Sequence, residues 1–334
     1  MASTEHGLVA SAELETLLAF GRGLASGTPT EGRADRVCVS PLRSVLYVPG
    51  NRRDWIQKCS RYGADAIVLD LEDSVPRSER AAARGIIADE LASLARQVRS
   101  VWVRVNADDG LAEDLAASVR PGISVIQLPK VVSSDAVQRL DRELGWHEGR
   151  AGLPFGSTVI SPILETAGGL LHAHAIAMSS PRVEYLGAIV APEGDTALAL
   201  GMQVMSDAVG TESLYVRSKV ALDARAAGVR HVIGGTVTDL RPPHQRLRAF
   251  SSLNRSIGYS GSLLIHPNQV PIAHEIFGHG AAQLDQALET LRLLHAAGNR
   301  AAVRNESSGQ MVDLAHARHA YEVLMEARAL GILQ

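Results

Sequence analysis

The sequence is poor in cysteine and lacks the marks of an exported or membrane-spanning chain. Its two cysteines, Cys38 and Cys59, stand in no CxxC motif and have no histidine at metal-ligand spacing, so neither a disulfide framework nor a zinc site is expected. Residues 1–10 lack a basic segment followed by a long apolar run, and no stretch of about 18 apolar residues occurs anywhere. These absences predict a cytoplasmic protein without a membrane partner.

A strong charge of one sign is also missing. The 33 Lys and Arg residues against 36 Asp and Glu residues give a formal net charge of -3. The balanced charge provides no strong positive potential that would attract the chain to nucleic acid, so no such partner is expected. The chain has 334 residues, of which 46% are hydrophobic and 21% are charged. This length and composition suit one large globular domain with an appended segment.

The sequence pattern divides the chain into three segments. Residues 1–40 hold one amphipathic stretch, 12–20, and then a run rich in Gly, Ser, Thr and Pro, so we expect a partly flexible N-terminal extension. In residues 41–280, short apolar runs alternate with longer segments of helical periodicity, which is typical of repeated βα units. Residues 281–334 are expected to form a C-terminal helical segment.

Eight apolar runs are the candidate strands. They are 44–48, 66–72, 101–106, 125–130, 158–165, 185–192, 231–237 and 262–266. Eight such runs followed by helices are what a closed parallel barrel requires, because both faces of each strand are buried. A Rossmann-type open sheet is the competing interpretation, but the turn at 49–51 carries no GxGxxG fingerprint. The sequence therefore predicts an α/β fold, a TIM (β/α)8 barrel.

Nearly every apolar run ends in polar residues. These are Asp70, Glu72, Asp73, Arg104, Asn106, Lys130, Glu165, Asp195, Asp239 and His266. The C-terminal ends of all barrel strands meet at one mouth, so we expect these side chains to share a pocket. Taken singly, an acidic residue after a strand is more often a helix cap or a solvated loop residue, so the prediction depends on the set.

Glu165 and Asp195 follow adjacent candidate strands and are the predicted metal ligands. Mg²⁺ favours one or two carboxylates, with waters and substrate oxygens completing its octahedron. A 2-oxo or 2-hydroxy acid could chelate it, and the metal would stabilise charge on a carbonyl or enolate oxygen. Arg104 is the candidate partner for a substrate carboxylate. Lys130 is a weaker candidate for that role or for a Schiff base.

Eight segments of the sequence resemble a known family. The segments that carry the resemblance are RSVLYVPGNRRDW (43–55), ADAIVLDLEDSVP (64–76), VWVRVN (101–106), IQLPKV (126–131), SPILETAGGLL (161–171), GDTALALG (194–201), LYVRSKVALDARAAG (214–228) and GYSGSLLIHPNQV (258–270). They look like the citrate lyase beta-subunit family within the HpcH/HpaI aldolase and citrate lyase group, which includes malyl-CoA and citramalyl-CoA lyases.

The resemblance implies a TIM barrel, a homotrimer or hexamer, and reversible cleavage of a 3-hydroxyacyl-CoA thioester such as malyl-, citramalyl- or citryl-CoA. It implies Mg²⁺ on Glu165 and Asp195, with Arg104 on the substrate carboxylate. Glu72 and Asp73 would act on the metal through water.

The hypothesis of a CoA-thioester lyase adds further candidate residues. Arg52 and Arg53 would meet the CoA phosphates, and Lys130 and His266 would contact substrate or CoA. Residues 309–313 resemble a lid motif whose acid reaches a neighbouring subunit, which makes Asp313 a candidate acid-base catalyst and 281–334 a lid or oligomerisation segment. A helix N-cap is the equally supported role for Asp313.

The sequence departs from the family pattern near the metal pair, at Gly168 and at Pro192 with Glu193. Three further interpretations stay open: an aldolase on 2-oxo acids that keeps the metal chemistry without CoA, a related thioesterase, and a catalytically silent scaffold whose altered loops around 168 and 192 have lost turnover.

Overall fold

The strands were located in a computed structural model, which describes residues 11–25, 39–107, 110–191, 194–203, 206–298, 302–305 and 309–333. The strands are β1 Ser44–Pro49, β2 Ala66–Asp70, β3 Ser100–Arg104, β4 Val125–Leu128, β5 Val159–Leu164, β6 Tyr185–Ala188, β7 His231–Gly234, β8 Gly261–Leu264, β9 Ala302–Arg304 and β10 Met311–Asp313. Each predicted run overlaps one of β1 to β8, and β1, β3 and β8 each extend one residue outside their run.

Helices follow most of the barrel strands. They are α1 Ser11–Ala25, α2 Arg53–Ile56, α3 Arg80–Leu94, α4 Leu111–Ser118, α5 Ser134–Ala151, α6 Ala167–Leu171, α7 Ala173–Met178, α8 Asp195–Leu200, α9 Leu214–Ala226, α10 Gln245–Ser256, α11 Val270–Phe277, α12 Ala281–Ala296 and α13 Leu314–Ala329. None of these helices is both long enough and apolar enough, over the described ranges, to cross a membrane.

Strands β1 to β8 close into a barrel. Each strand pairs in parallel with the next, and β8 pairs with β1. The predicted TIM barrel is therefore confirmed. Strands β2 to β8 end earlier than the apolar runs suggested, so that polar residues such as Glu72, Lys130 and Glu165 lie just beyond the paired segments. A parallel barrel places these residues together at the C-terminal end of its strands.

The barrel has an inner and an outer apolar layer because strand side chains alternate between its two sides. Val45, Val68, Trp102 and Tyr185 belong to the inner cluster, where the rings of Trp102 and Tyr185 lie 4.8 Å apart. The outer cluster joins strands to helices and includes Leu46. The interior of the barrel is thus a packed core and not a pore.

A separate compact unit combines α1 with the chain from Gly278 onward. Helix α1 packs against α12 and α13 through buried leucines such as Leu18, Leu291 and Leu324. Strands β9 and β10 form an antiparallel pair in this unit. The run rich in Gly, Ser, Thr and Pro at 21–32 was expected to be flexible, but its residues 21–25 continue α1, and its residues 26–32 lie outside the described residues.

The cysteines show no sign of reactivity where they are described. Cys59 is a buried free thiol, and its burial raises its pKa to about 12. A thiol with so high a pKa remains protonated and unreactive at neutral pH. Cys38 lies outside the described residues.

Candidate functional site

An arginine-carboxylate pair lies at the C-terminal ends of β2 and β3. Asp70 and Arg104 are the last residues of these strands and are register partners. Arg104 Nε and Nη2 each donate to one Asp70 carboxylate oxygen at 2.6 Å. Burial of Asp70 opposes its ionisation, but the guanidinium and the Ser74 hydroxyl outweigh it, so the pKa of Asp70 is lowered. The pair is fully charged at neutral pH.

Arg104 also rests on an aromatic ring inside the barrel mouth. Its Cζ lies 4.9 Å from the centroid of the Tyr47 ring, within the range of a cation-π contact. The Tyr47 hydroxyl donates to Gln127 Oε1 at 2.5 Å, and burial raises the pKa of this phenol. Tyr47 is therefore a neutral platform that fixes the plane of the guanidinium.

Two acidic residues beyond β2 join Arg104 to Lys130. Glu72 Oε2 is 2.8 Å from Arg104 Nη1, an ion-pair contact without hydrogen-bond geometry, and Lys130 Nζ donates to Glu72 Oε1 at 2.6 Å. The same ammonium lies 3.3 Å from Asp73 Oδ1 and 3.8 Å from Asp195 Oδ2. Burial raises the pKa of Glu72 despite both cations. Lys130 is thus the shared counter-ion of three carboxylates.

Glu165 is a buried carboxylate of this cluster whose pKa is strongly raised. It follows β5, its side chain is buried, and its Oε1 accepts the backbone N–H of Lys130 at 3.0 Å. Lys130 adopts a left-handed backbone with φ of 52°, which is uncommon for a residue with a side chain. Burial, reinforced by the charges of Asp195 and Glu72, raises the pKa of Glu165 to about 7.

Asp195 is more accessible than Glu165. It is the first residue of α8, and its side chain is 42% exposed. The preceding residues Pro192 and Glu193, at which the sequence departs from the family pattern, lie outside the described residues. An exposed carboxylate beside a buried one leaves room for waters or substrate oxygens on the open side.

The Glu165 and Asp195 carboxylates fit a magnesium ion by their chemistry. Both offer hard oxygen donors, and their mutual repulsion helps to raise the pKa of Glu165. A divalent cation would relieve that repulsion and favour the ionised form. Across the described residues no group of three or more His, Cys, Asp or Glu side chains could enclose a metal. Two carboxylates with an open side agree with the sparse coordination that Mg²⁺ prefers.

The segment after Glu165 is held against the loop that follows β4. Thr166 caps α6 by accepting the Gly169 N–H at 3.0 Å, and its hydroxyl donates to the Val131 carbonyl at 2.8 Å. A Cβ on Gly169 would lie 2.2 Å from that carbonyl oxygen, a contact that real structures do not contain. Glycine at 169 therefore permits the approach that positions both Glu165 and Lys130.

We expect Gly169→Ala to disrupt this contact and Gly168→Ala to be tolerated. The added methyl group at 169 meets a backbone carbonyl, and we expect a cost of about 3 kcal/mol and a lower melting temperature. At 168 it meets mainly the Val132 side chain at 2.9 Å, which is exposed and can rotate. Thermal unfolding of the two variants measures the difference. Equal melting temperatures would contradict the close-packing argument.

The described contacts of Arg52, Arg53 and His266 lie outside this carboxylate cluster. Arg53 pairs with Asp89 and Glu90 at 2.7 and 2.6 Å, and Arg52 stacks over Trp55. His266 caps a short turn by accepting the Asn268 N–H. Their proposed CoA contacts stay predictions. Asp239, which also follows a strand, pairs with the exposed Arg241, as the turn interpretation allowed.

Asp313 caps α13 in the second compact unit. Its Oδ1 accepts the N–H groups of Ala315 and His316 and lies 2.7 Å from His316 Nδ1. These bonds lower the pKa of Asp313. Half of its side chain is exposed. The capping role considered from sequence is therefore present, and it leaves the proposed catalytic role as a prediction.

Sequence analysis missed two members of the cluster and undervalued a third. Tyr47 resembles any core residue within its apolar run, and no signal marked it. Gln127 was detectable, since an amide inside a buried strand needs a partner. Asp70 was noted at a strand end, but its pairing with Arg104 follows from strand register, which the sequence does not display.

Comparison with known proteins assigns this barrel to a family. Residues 43–267 match the model of the HpcH/HpaI aldolase/citrate lyase family, and the chain belongs to that family. The resemblance stated from sequence is confirmed.

Three relatives illustrate the range of the family. The citrate lyase subunit beta-like protein of Deinococcus radiodurans is 38% identical over 279 residues, covering 81% of this chain and 92% of the relative. A (3S)-malyl-CoA thioesterase of Cereibacter sphaeroides is 30% identical over 293 residues, covering 87% and 96%. The structure of CitE from Mycobacterium tuberculosis in complex with magnesium, acetoacetate and coenzyme A has a TM-score of 0.66 and 26% identity, covering 87% and 99%.

Proposed function

We propose that the protein is a Mg²⁺-dependent carbon-carbon lyase that cleaves or forms a 3-hydroxyacyl-CoA thioester of the malyl-, citramalyl- or citryl-CoA class. The observation that carries the proposal is the pairing of two hard carboxylates, Glu165 and Asp195, with a cationic pair, Arg104 and Lys130, at one barrel mouth. The magnesium and coenzyme A in the CitE complex support both ligands.

Arg104 is proposed to hold the substrate carboxylate. Asp70 accepts hydrogen bonds from Nε and from one hydrogen of Nη2, whereas Nη1 lies 2.8 Å from Glu72 and 3.8 Å from Asp73 without donating a hydrogen bond to either. The second hydrogen of Nη2 and the neighbouring hydrogen of Nη1 are therefore proposed to face the substrate. These two hydrogens form the end-on fork of the guanidinium, which matches a carboxylate. Asp70 and Tyr47 keep the fork fixed before substrate arrives, so little rotamer entropy is lost on binding.

The remaining residues are proposed to manage charge and protons. Bound Mg²⁺ would supply Lewis-acid stabilisation of the charge that develops on a substrate carbonyl oxygen. Glu165 and Asp195 would hold it, while Glu72 and Asp73 would orient surrounding water. Lys130 neutralises the excess of carboxylates. Asp313 is the proposed acid-base group, and in a homotrimer or hexamer it would serve a neighbouring subunit.

Incubation with Mg²⁺ and each of the three thioesters tests the lyase proposal. We expect a shorter acyl-CoA and a 2-oxo acid as products. In Arg104→Lys the ammonium cannot provide the fork, so kcat/KM should fall about a hundredfold, the equivalent of losing a charge-assisted bidentate contact. Matched activity of Arg248→Lys, an arginine on α10 that pairs with Glu275 away from the cluster, is the control. Cleavage of free 2-oxo acid aldols instead would identify a CoA-independent aldolase.

Thioester hydrolysis is the second candidate, favoured by the 30% identical relative named as a malyl-CoA thioesterase. The two activities differ in their products, because a thioesterase releases free CoA with an intact hydroxy acid. Product analysis by mass spectrometry separates them. Neither set of products, together with no Mg²⁺-dependent stabilisation, would identify a silent scaffold.

Asp313→Ser separates catalysis from helix capping. Serine retains N-cap ability but has no carboxylate, whereas Asp313→Ala removes both. If Asp313 transfers a proton, we expect the serine variant to lose at least about 99% of kcat, a typical contribution of general acid-base catalysis, at an unchanged melting temperature. If Asp313→Ser has wild-type turnover and Asp313→Ala has a lowered melting temperature, Asp313 caps the helix and has no catalytic role.

A further inference from the structure

A second concave site lies on the side of the barrel between α4 and α5. It encloses about 900 Å³, within the size range of small-molecule sites. Ala112 and Ala116 form one low wall, and the C-terminal half of α5 forms the other. Residues 119–121 lead into the start of β4, and 150–151 lead towards the start of β5. The groove therefore runs towards the end of the barrel opposite the carboxylate cluster.

The groove is lined by cations without anionic partners. Arg120, Arg142 and Arg150 are exposed, and among the described residues no carboxylate pairs with any of the three guanidinium groups. Glu143 is the single carboxylate in the lining. His147 adds no charge at neutral pH, because its burial lowers its pKa. Three arginines against one glutamate make a local anion site in a chain whose net charge is -3.

An indole ring stands between two of these arginines. Arg142, Trp146 and Arg150 follow one another at intervals of four residues, so they share one face of α5. Arg150 Cζ lies 4.7 Å from the Trp146 ring centroid, and the tryptophan is still 55% exposed. A large exposed ring beside unpaired guanidinium groups suits a ligand that has both a planar aromatic part and several negative charges.

We propose that this groove binds a nucleoside triphosphate, with its phosphates on Arg120, Arg142 and Arg150 and its base on Trp146. The guanidinium fork matches phosphate oxygens, and base-aromatic stacking adds affinity without needing a particular base. The proposal is independent of the reaction at the barrel mouth, because none of these residues contacts the carboxylate cluster.

Calorimetric titration of the full chain with ATP in EDTA tests the proposal. We expect saturable binding that weakens at least about tenfold in Arg142→Ala, since a charge-assisted contact is lost. Arg139→Ala is the matched control, because Arg139 is an exposed arginine one turn earlier on α5 and outside the groove lining. The control should bind ATP within about twofold of the wild type. Equal effects of the two variants, or no saturable binding, overturn the proposal.

The aromatic contact has its own readout. ATP should quench tryptophan fluorescence in the wild type but not in Trp146→Phe, which keeps a ring for stacking and therefore should retain most of the affinity. Inorganic tripolyphosphate should bind more weakly than ATP, and equal affinity would contradict the stacking.

Two competition experiments cover other occupants. ATP binding that CoA abolishes and Arg142→Ala leaves unchanged would place the nucleotide at the barrel mouth and overturn the groove site. A short single-stranded oligonucleotide that displaces ATP at lower concentration would overturn the assignment to a small molecule.

Discussion

Replacing Glu165 with glutamine is expected to abolish stabilisation by Mg²⁺ and, at the same time, to stabilise the metal-free protein at pH 8. Glutamine keeps an oxygen for the Lys130 N–H but removes a buried charge that lies near Asp195 and Glu72. The pKa of about 7 in the folded protein compares with an ordinary value of 4.5. The ionised side chain therefore costs roughly 3 kcal/mol above pH 7 in the absence of metal.

The sign of this effect depends on pH. Because folding raises the pKa of Glu165, its contribution is most favourable below pH 4.5 and is lost as the pH rises towards 7. The advantage of Glu165→Gln should therefore be large at pH 8 and absent near pH 4. Mg²⁺ competes with the same proton, so its apparent affinity should fall as the pH drops below 7.

Thermal unfolding of wild type and Glu165→Gln at pH 4 and 8, each with EDTA or Mg²⁺, measures all of these effects. Asp195→Asn should also lose the response to Mg²⁺. Asp239→Asn is the control, since that exposed aspartate pairs with Arg241, and it should keep the full response. If Mg²⁺ still raises the melting temperature of Glu165→Gln, Glu165 is not a ligand of the metal.

Asp70→Asn should be the most destabilising polar substitution at the mouth of the barrel. The Asp70 carboxylate is 1% exposed and accepts hydrogen bonds from Arg104, Ser74 and the Glu72 N–H. An amide cannot accept both guanidinium bonds, so Arg104 is left partly unpaired in a buried site. Breaking a buried ion pair in this way costs about 3–5 kcal/mol.

Urea denaturation measures this loss, and a double-mutant cycle with Arg104→Met assigns it to the pair. The double variant Asp70→Asn/Arg104→Met should be less destabilised than the sum of the single variants, since neither charge then remains buried alone. Additive effects would show that Asp70 acts through Ser74 or Glu72 instead. KM for the thioester should rise in Asp70→Asn if the pair orients the substrate fork.

Much of the fold was accessible from the sequence for a simple physical reason. A strand buried on both faces is mostly apolar along its length, so the eight barrel strands were visible as runs. The strand ends were less visible, because apolar residues such as Leu71 and Val105 continue each run beyond the last paired residue. The polar residues at which the runs end, Glu72, Lys130 and Glu165, nevertheless marked the C-terminal side of the barrel.

The pairing within the site was not accessible in the same way. The Asp70 to Arg104 contact depends on register across two strands, and the Tyr47 platform depends on which strand residues face the interior. The left-handed conformation of Lys130 has no sequence signal, since glycine is the residue that usually marks it. The role of α1 was also hidden, because an amphipathic helix indicates a partner without naming it.

Lys130 determines how the carboxylates of the proposed metal site are neutralised when magnesium is scarce. Its ammonium group contacts Glu72, Asp73 and Asp195, so these carboxylates keep a resident cation when no metal is bound. Glu165 can take up a proton near neutral pH for the same purpose. On the proposed function, removing Mg²⁺ by chelation should therefore stop the reaction without unfolding the protein, and activity should return when Mg²⁺ is restored.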